Sequence, residues 1–552
     1  MLLKNKYSLA IISGLLLSLA WPFTGSISPL IFVAWVPVLY LFEQNFEAQK
    51  GNRAIFLPLF LGLWIWNLGT THWLFFVEES MGTKIFSLLS PSIANALIMT
   101  LPWLAYGFMR KYLGLAKALI GVVFLWLGYE YFHQNWELTW PWLLLGNVFA
   151  LRPNWIQWYE YTGVQGGTLW VLLVNITLFR VLLKARTDDW KNALKSKRTV
   201  YFALALIAPI IWSYTVMPEE KEQGDLGVLV IQPNLNPYEE KFSSSAYPLQ
   251  LAKFIDQINA HPSAELALLP ETALQERTQY TLHNGEYIKY GLWEEQIEKS
   301  ESVRAFKNKV LGYSDISILS GMSSQRMVPL PYEKPQEIRP VYETEKLGRI
   351  AYNSALFINN KEIGIYHKSK LVPGVEITPY AWIFSMFKEV ALDLGGITGT
   401  LGTQSEREVF TSKEGIVAAP VICYESVFGE YMGGYINKGA NLITVLTNDG
   451  WWQRSAGHRQ HFVYSVLRAI EFRRDVIRSA NTGISCHINQ RGEVLQRMDY
   501  ETEGSFVCYP NLNDELTVFA KMGDYLGKNA LFLGILMIVM TLVKKVKANS
   551  VL

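Results

Sequence analysis

The chain has 552 residues, half of them apolar and only 18% charged, with 28 Tyr, 28 Phe and 19 Trp. Soluble domains carry nearer a quarter charged residues, and rings with one polar end suit a membrane–water boundary, so this composition points to a membrane protein. A net charge of +2 argues against a nucleic-acid partner, and three Cys without zinc-site spacing predict neither a disulfide framework nor a metal.

Crossing a bilayer takes about 20 predominantly apolar residues. In chain order the candidate spans are 7–23, 29–42, 55–77, 88–109, 116–131, 163–183, 199–217 and 530–543, eight in all. Lys4 and Lys6 ahead of the first span suit a signal peptide, but the run ends Trp21-Pro22-Phe23 without a small-residue cleavage pattern, so the segment is expected to be retained. With a cytoplasmic N-terminus, the inner loops hold Lys50, Arg53, Arg110, Lys111 and the basic stretch from Lys184 to Arg198, and the tail holds Lys544, Lys545 and Lys547. The outer loops hold only Lys84 and Arg152. Positive charge gathers on the cytoplasmic side, which puts the large segment after the seventh span outside the cytoplasm. Trp136 to Trp142, between the fifth and sixth spans, is too polar to cross and reads as an interfacial segment.

The chain therefore divides into a helical membrane part, 1–218, an extracytoplasmic catalytic domain, 224–512, and a last helix, 529–543. In the middle part, apolar runs end repeatedly in polar clusters: 226–231, 266–269, 316–319, 355–358, 363–366, 416–422 and 442–446. These read as strands, some buried on both faces. Helical patterns at Tyr247–Asn259 and 458–475 lie between them, giving a mixed α/β domain. Reactive side chains in such sheets often sit just past strand ends.

Three such positions carry chemistry. Cys423 ends an apolar strand and starts a turn into a helix, whose N-terminus favours a thiolate, although a free Cys is more commonly structural. Glu271 follows Leu268-Leu269-Pro270, where desolvation would raise its pKa and make it a general base; a solvated helix cap at Thr272 is the blander reading. Lys368, in Tyr366-His367-Lys368-Ser369-Lys370-Leu371-Val372-Pro373, would stabilise developing negative charge, and spacing does not choose it over Lys370. Cys486 and Cys508 read as structural, and a lone His458 as a packed or surface residue.

The order Pro270-Glu271-Thr272, Lys368-x-x-Leu371 and Cys423-Tyr424-Glu425 resembles the Glu–Lys–Cys pattern of the nitrilase superfamily. With helices before and after the domain, the chain resembles the apolipoprotein N-acyltransferase family within it. Lys-x-x-Leu-Val-Pro followed by Glu376, Asn448-Asp449-Gly450-Trp451-Trp452, and the stretches Arg468 to Glu471 and Arg478 to Gly483 extend the likeness over the whole chain. Gly374-Val375-Glu376 departs from the usual Phe-Gly-Glu but keeps the Glu at its offset from Lys368. Phe242 is the nearest match to a Trp of the family, and 327–346 looks like an insertion.

The resemblance implies an α-β-β-α sandwich beside a multi-pass bundle of about eight helices, and two-step acyl transfer without a cofactor. Cys423 would be the nucleophile, Glu271 its base and Lys368 the oxyanion partner. Glu376 and Glu425 would act through hydrogen bonds to Lys368 or Glu271, and Tyr424 would position substrate. The implied partners are a phospholipid acyl donor and an S-diacylglyceryl apolipoprotein acceptor, and the implied location is the bacterial inner membrane with the catalytic domain on the periplasmic side. The apolar run 380–387, with Trp382 and Phe384, is expected to dip into the interface or form a lid. A membrane-tethered nitrilase-type amidase shares the chemistry up to the acyl-enzyme and differs in its acceptor, water. A non-enzymatic transporter fits poorly with so few ionisable residues inside the spans.

Overall fold

Apolar runs that must satisfy their own backbone hydrogen bonds in lipid fold as helices. The computed structural model describes residues 5–550 apart from 220–223, 240, 242–245, 277–278, 282–286, 290, 342–345 and 381–399. Among the described residues, seven helical segments are long and apolar enough to cross a membrane: Ser28–Glu47, Arg53–Phe76, Met81–Leu113, Leu115–His133, Tyr159–Thr187, Lys197–Thr215 and Tyr525–Asn549. The first predicted span is a shorter apolar helix, Lys6–Ala20. By contact the chain forms two units, one of Met1–Phe76, Ser80–Pro218 and Met522–Leu552, the other of Val77–Glu79 and Glu219–Lys521.

Small residues and rings hold the helical unit together. Lys6–Ala20 crosses Arg53–Thr71 at Gly14 and Gly62, where a Cβ on Gly14 would lie 2.1 Å from the Gly62 carbonyl oxygen. Such close backbone approach is how apolar helices gain contact in lipid. Trp35 packs against Trp103 and Trp126 at ring-centroid distances of 4.8 and 4.9 Å, and all three are buried. The connection after Leu115–His133 holds the stretch Trp136 to Trp142. It folds into short turns, Pro141–Leu143, Leu145–Leu151 and Pro153–Trp155, and buries Trp142, Leu145 and Phe149 within the unit.

The second unit carries two sheets. The 8-stranded sheet runs Gly504–Cys508, Val228–Gln232, Leu266–Leu274, Ser317–Pro329, Leu347–Ile358, Ile338–Pro340, with Leu292–Trp293 and Ile363–His367 paired at its side. The 6-stranded sheet runs Phe410–Thr411, Val417–Ile422, Leu442–Thr447, Val476–Ala480, Ser485–Ile488, Val494–Met498. The strands Val228–Gln232, Leu266–Leu274, Val417–Ile422 and Leu442–Thr447 bury all their residues but one, which is why they read as apolar runs. The near exception is Val417, half-buried at its strand's start. The sheets face each other through their central strands, and the Ser479 hydroxyl donates across the layer to the Ile231 carbonyl at 2.8 Å. Tyr247–Asn259 covers the larger sheet with Leu251, Phe254, Ile255 and Ile258. Ala456–Phe472 covers the smaller, giving the expected α-β-β-α layering. The predicted insertion 327–346 lengthens an antiparallel ribbon, pairing Met327 with Arg349 and Pro329 with Leu347.

Candidate active site

Glu271 lies inside a strand rather than after one. Leu266–Leu274 continues through Pro270-Glu271-Thr272 with a register break between Leu269 and Leu274, and Thr272 takes φ 49°. The bulge presses on the neighbouring strand at Gly321, where a Cβ would stand 2.5 Å from the Glu271 Cα. Glycine is what that approach requires. Bulges re-aim side chains, and here Glu271 turns toward Lys368.

Lys368 follows the edge strand Ile363–His367, and its backbone N–H donates to the Asn353 carbonyl at 2.8 Å. Its ammonium, 1% exposed, lies 3.1 Å from Glu271 Oε1 and 2.9 Å from Glu376 Oε1. Asn353 Nδ2 donates to the same two carboxylates at 2.7 and 3.1 Å. Glu376 Oε2 accepts from the Val372 N–H at 2.9 Å, which closes the loop around Lys368. Lys370 is placed elsewhere, with Nζ 4.9 Å from the Phe428 ring centroid and 5.8 Å from that of Tyr431. The two lysines left open by spacing are thus separated by packing.

Cys423 follows Val417–Ile422 and opens a five-residue 3₁₀ turn, Cys423–Val427, with φ 47°. That left-handed conformation costs a side-chain-bearing residue of the order of 1–3 kcal/mol, and it aims the residue out of the strand direction. Glu425 secures the turn. Its carboxylate accepts from the Ile422 N–H at 2.9 Å, the Ser369 N–H at 2.7 Å, and the hydroxyls of Tyr366, Tyr431 and Tyr435. It therefore ties the backbone beside Cys423 to the backbone beside Lys368, rather than touching Lys368 or Glu271 as expected. The Tyr424 ring packs edge-on against Phe428 at 5.0 Å.

The electrostatics depart from two expectations. Burial pushes the Glu271 carboxyl up, but Lys368, Lys241 and the Asn353 hydrogen bond outweigh it and hold the group below the usual carboxylate range. Burial and the Glu271 charge push the Cys423 thiol up, against the pull of Lys368, so the turn does not by itself produce a resting thiolate. Both shifts favour a carboxylate beside a neutral thiol.

Three further residues, Asn353, Lys241 and His461, carry no mark in the sequence. Besides Asn353, Lys241 is buried and donates to the Glu271 backbone carbonyl at 2.7 Å. Burial pushes its ammonium down to about 7, opposed by the charges of Glu271 and Cys423. With the Asn448 carboxamide oxygen turned toward it, Lys241 Nζ is also 3.2 Å from that oxygen. Behind Cys423, His461 Nε2 is 3.2 Å from the Cys423 carbonyl oxygen, and His461 Nδ1 is 2.8 Å from Asp449 Oδ1. Arg478 pairs with Asp449 Oδ2.

His458 packs on the Tyr500 ring at 4.3 Å, and Cys486 and Cys508 are buried free thiols. Phe242, with Trp382, Phe384 and the rest of the expected lid beyond Tyr380, lies outside the described residues.

Two family descriptions match the chain. Residues 13–177 match the apolipoprotein N-acyltransferase N-terminal domain, and residues 230–521 match carbon-nitrogen hydrolase. An apolipoprotein N-acyltransferase of Chlorobaculum tepidum is 26% identical over 512 residues, covering 88% of this chain and 86% of that protein. One of Geobacter metallireducens is 26% identical over 504 residues, covering 89% and 86%. A solved amidase from Nesterenkonia sp. is 15% identical, covers 54% of this chain and 94% of its own, and has a TM-score of 0.33.

Proposed function

We propose, because the chain belongs to the carbon-nitrogen hydrolase family and carries an apolipoprotein N-acyltransferase N-terminal domain, that it is an apolipoprotein N-acyltransferase. It moves a fatty acyl chain from a membrane phospholipid to the α-amino group of the S-diacylglyceryl cysteine that begins a lipoprotein. The observation that carries this reading is the buried Glu271–Lys368 pair whose charges act on the Cys423 thiol, in a chain with seven membrane-length apolar helices among its described residues.

In the first step Glu271 takes the thiol proton as Cys423 Sγ attacks the ester carbonyl. Lys368 stabilises the oxyanion, whose charge it meets in a water-poor setting. Collapse breaks the ester C–O bond, the proton passes from Glu271 to the leaving lysophospholipid oxygen, and Cys423 keeps the acyl chain as a thioester. In the second step the lipoprotein amine attacks, its proton goes to Glu271, and the thiolate leaves and recovers that proton. This is covalent catalysis in ping-pong order, with no cofactor in either step. Glu376 and Glu425 act as positioning residues, one holding the Lys368 ammonium and the other the backbone on both sides of the site.

Tethering suits the chemistry, because both substrates are bilayer-anchored and a membrane-bound site raises their effective concentration. The arrangement of Lys and Arg along the loops supports an inner-membrane location with the catalytic domain on the periplasmic side.

Purified full-length protein in vesicles of labelled phosphatidylethanolamine, supplied with an S-diacylglyceryl lipopeptide bearing a free α-amine, tests the reading. Label should move into the lipopeptide as an amide. Release of free fatty acid to water with an unmodified lipopeptide would overturn it in favour of a hydrolase.

A further inference from the structure

Among the described residues, the strand Ile363–His367 pairs on one side only, with Leu347–Ile358, and Lys368 is the first residue past its end. An edge strand leaves its outward N–H groups without ladder partners. The Lys368 N–H turns toward the sheet and donates to the Asn353 carbonyl at 2.8 Å. The N–H groups on either side of it go elsewhere. That of His367 donates to Gln404 Oε1 at 2.8 Å, and that of Ser369 to Glu425 Oε1 at 2.7 Å. Three consecutive N–H groups thus run to three separate segments, which fixes the backbone that carries the ammonium.

Gln404 is itself held. Its Nε2 donates to the Glu406 carbonyl at 2.7 Å, and its backbone carbonyl accepts from the Ser369 hydroxyl at 2.5 Å. The residues leading to it are tied to the same site. The Leu401 N–H donates to the Glu376 carbonyl and the Gly402 N–H to the Ala351 carbonyl, each at 2.9 Å. Gly402 has no room for a side chain, since a Cβ would stand 2.2 Å from Tyr352 Cε1. That Tyr352 ring stacks on His367 at 4.0 Å, and His367 Nε2 lies 2.8 Å from Glu294 Oε1. Gln404 therefore meets a His367 whose ring is already fixed.

We propose that Gln404 is a positioning residue for Lys368. Its carboxamide oxygen on the His367 N–H, and its backbone carbonyl on the Ser369 hydroxyl, brace the two residues that flank the lysine. Lys368 Nζ must stay between Glu271 and Glu376, at 3.1 and 2.9 Å, while negative charge builds on the substrate oxygen. Such a charge stabilises the transition state only if it is already in place. A shift of the lysine backbone would draw the ammonium off that point. The inference rests on Lys368 being the oxyanion partner.

The test is a double-mutant cycle on the full-length protein in phospholipid vesicles, read as the single-turnover rate of thioester formation and the KM for phospholipid. Gln404→Leu removes the acceptor and should slow thioester formation about tenfold, with KM unchanged. Gln404→Glu keeps an oxygen for the His367 N–H and should recover most of that loss. In a Lys368→Met background, Gln404→Leu should cost less than about twofold, because the group it positions has gone. If Gln404→Leu melts well below wild type, Gln404→Ala against Gln404→Glu makes the same comparison. An equal loss in both backgrounds, no loss in either, or a Gln404→Glu as slow as Gln404→Leu overturns the proposal and leaves Lys368 as the oxyanion partner. A wild-type rate in Lys368→Met alone removes that assignment, and this inference with it.

Discussion

Glu130 and Glu271 are both buried carboxylates, one in each unit, and their surroundings set them to different tasks. Glu130 accepts from neutral donors: the Trp126 indole at 2.9 Å, the Leu145 N–H at 2.9 Å and the Thr168 hydroxyl at 2.7 Å. Those bonds pin the folded connection after Leu115–His133 to the helices. Glu271 instead meets the Lys368 ammonium, and its backbone carbonyl accepts a hydrogen bond from the Lys241 ammonium. Two buried cations beside a carboxylate and a thiol keep charge where a proton can be exchanged. Burial alone does not mark a reactive carboxylate; the cations around it do.

The comparison breaks most sharply at Lys368. Lys368→Met should lower the acyl-transfer rate at least about 10³-fold, from loss of the oxyanion partner. It should also destabilise the domain by about 3–5 kcal/mol, because Glu271 and Glu376 lose a shared cation. Initial rates and thermal unfolding of the full chain measure both, and a variant with near-normal rate would show that the cation does not make the site reactive.

Paired carboxamides sharpen it next. Glu271→Gln should cost about 10²–10⁴ in rate as the base is lost. Glu130→Gln should change the rate less than about threefold while costing about 1–3 kcal/mol of stability, since an amide N–H₂ now faces donors. Equal losses of rate in the two variants would erase the distinction.

Glu425→Gln should fall between them. The five donors on its carboxylate span both halves of the site, so rate should drop about tenfold together with about 2 kcal/mol of stability. Loss of stability without any change in rate would limit Glu425 to holding the fold.

The smallest effect belongs to Lys241, and it is one of slope. Its charge favours the Cys423 thiolate and is lost as pH rises through about 7. Alkylation of Cys423 should therefore climb less than about tenfold per pH unit between pH 6 and 8 in wild type, and by the full tenfold in Lys241→Met. Identical slopes would detach Lys241 from the sulfur.

Much of this was legible in the chain because fully buried strands leave unbroken apolar runs, and the reactive groups follow them. Cys423 follows such a strand, Glu271 follows the apolar run 266–269 within its own strand, and Lys368 follows the half-buried strand Ile363–His367. Lys241 was not legible: it follows Glu239 and Glu240, a charged stretch that reads as solvated, and tertiary packing alone buries it. The lowered Glu271 pKa was missed for the same reason, since its cause lies 97 residues away at Lys368 and 30 away at Lys241. Asp449 was visible within Asn448-Asp449-Gly450-Trp451-Trp452, but its role depends on Arg478 and His461 meeting it inside the sheet layer.

The most direct test of the central claim is intact and peptide mass spectrometry of the full-length protein purified from its membrane. The account predicts a fatty acyl group on Cys423, released by hydroxylamine and absent from Cys423→Ala. An acyl group on another residue, or none when the amine acceptor is withheld, would contradict it.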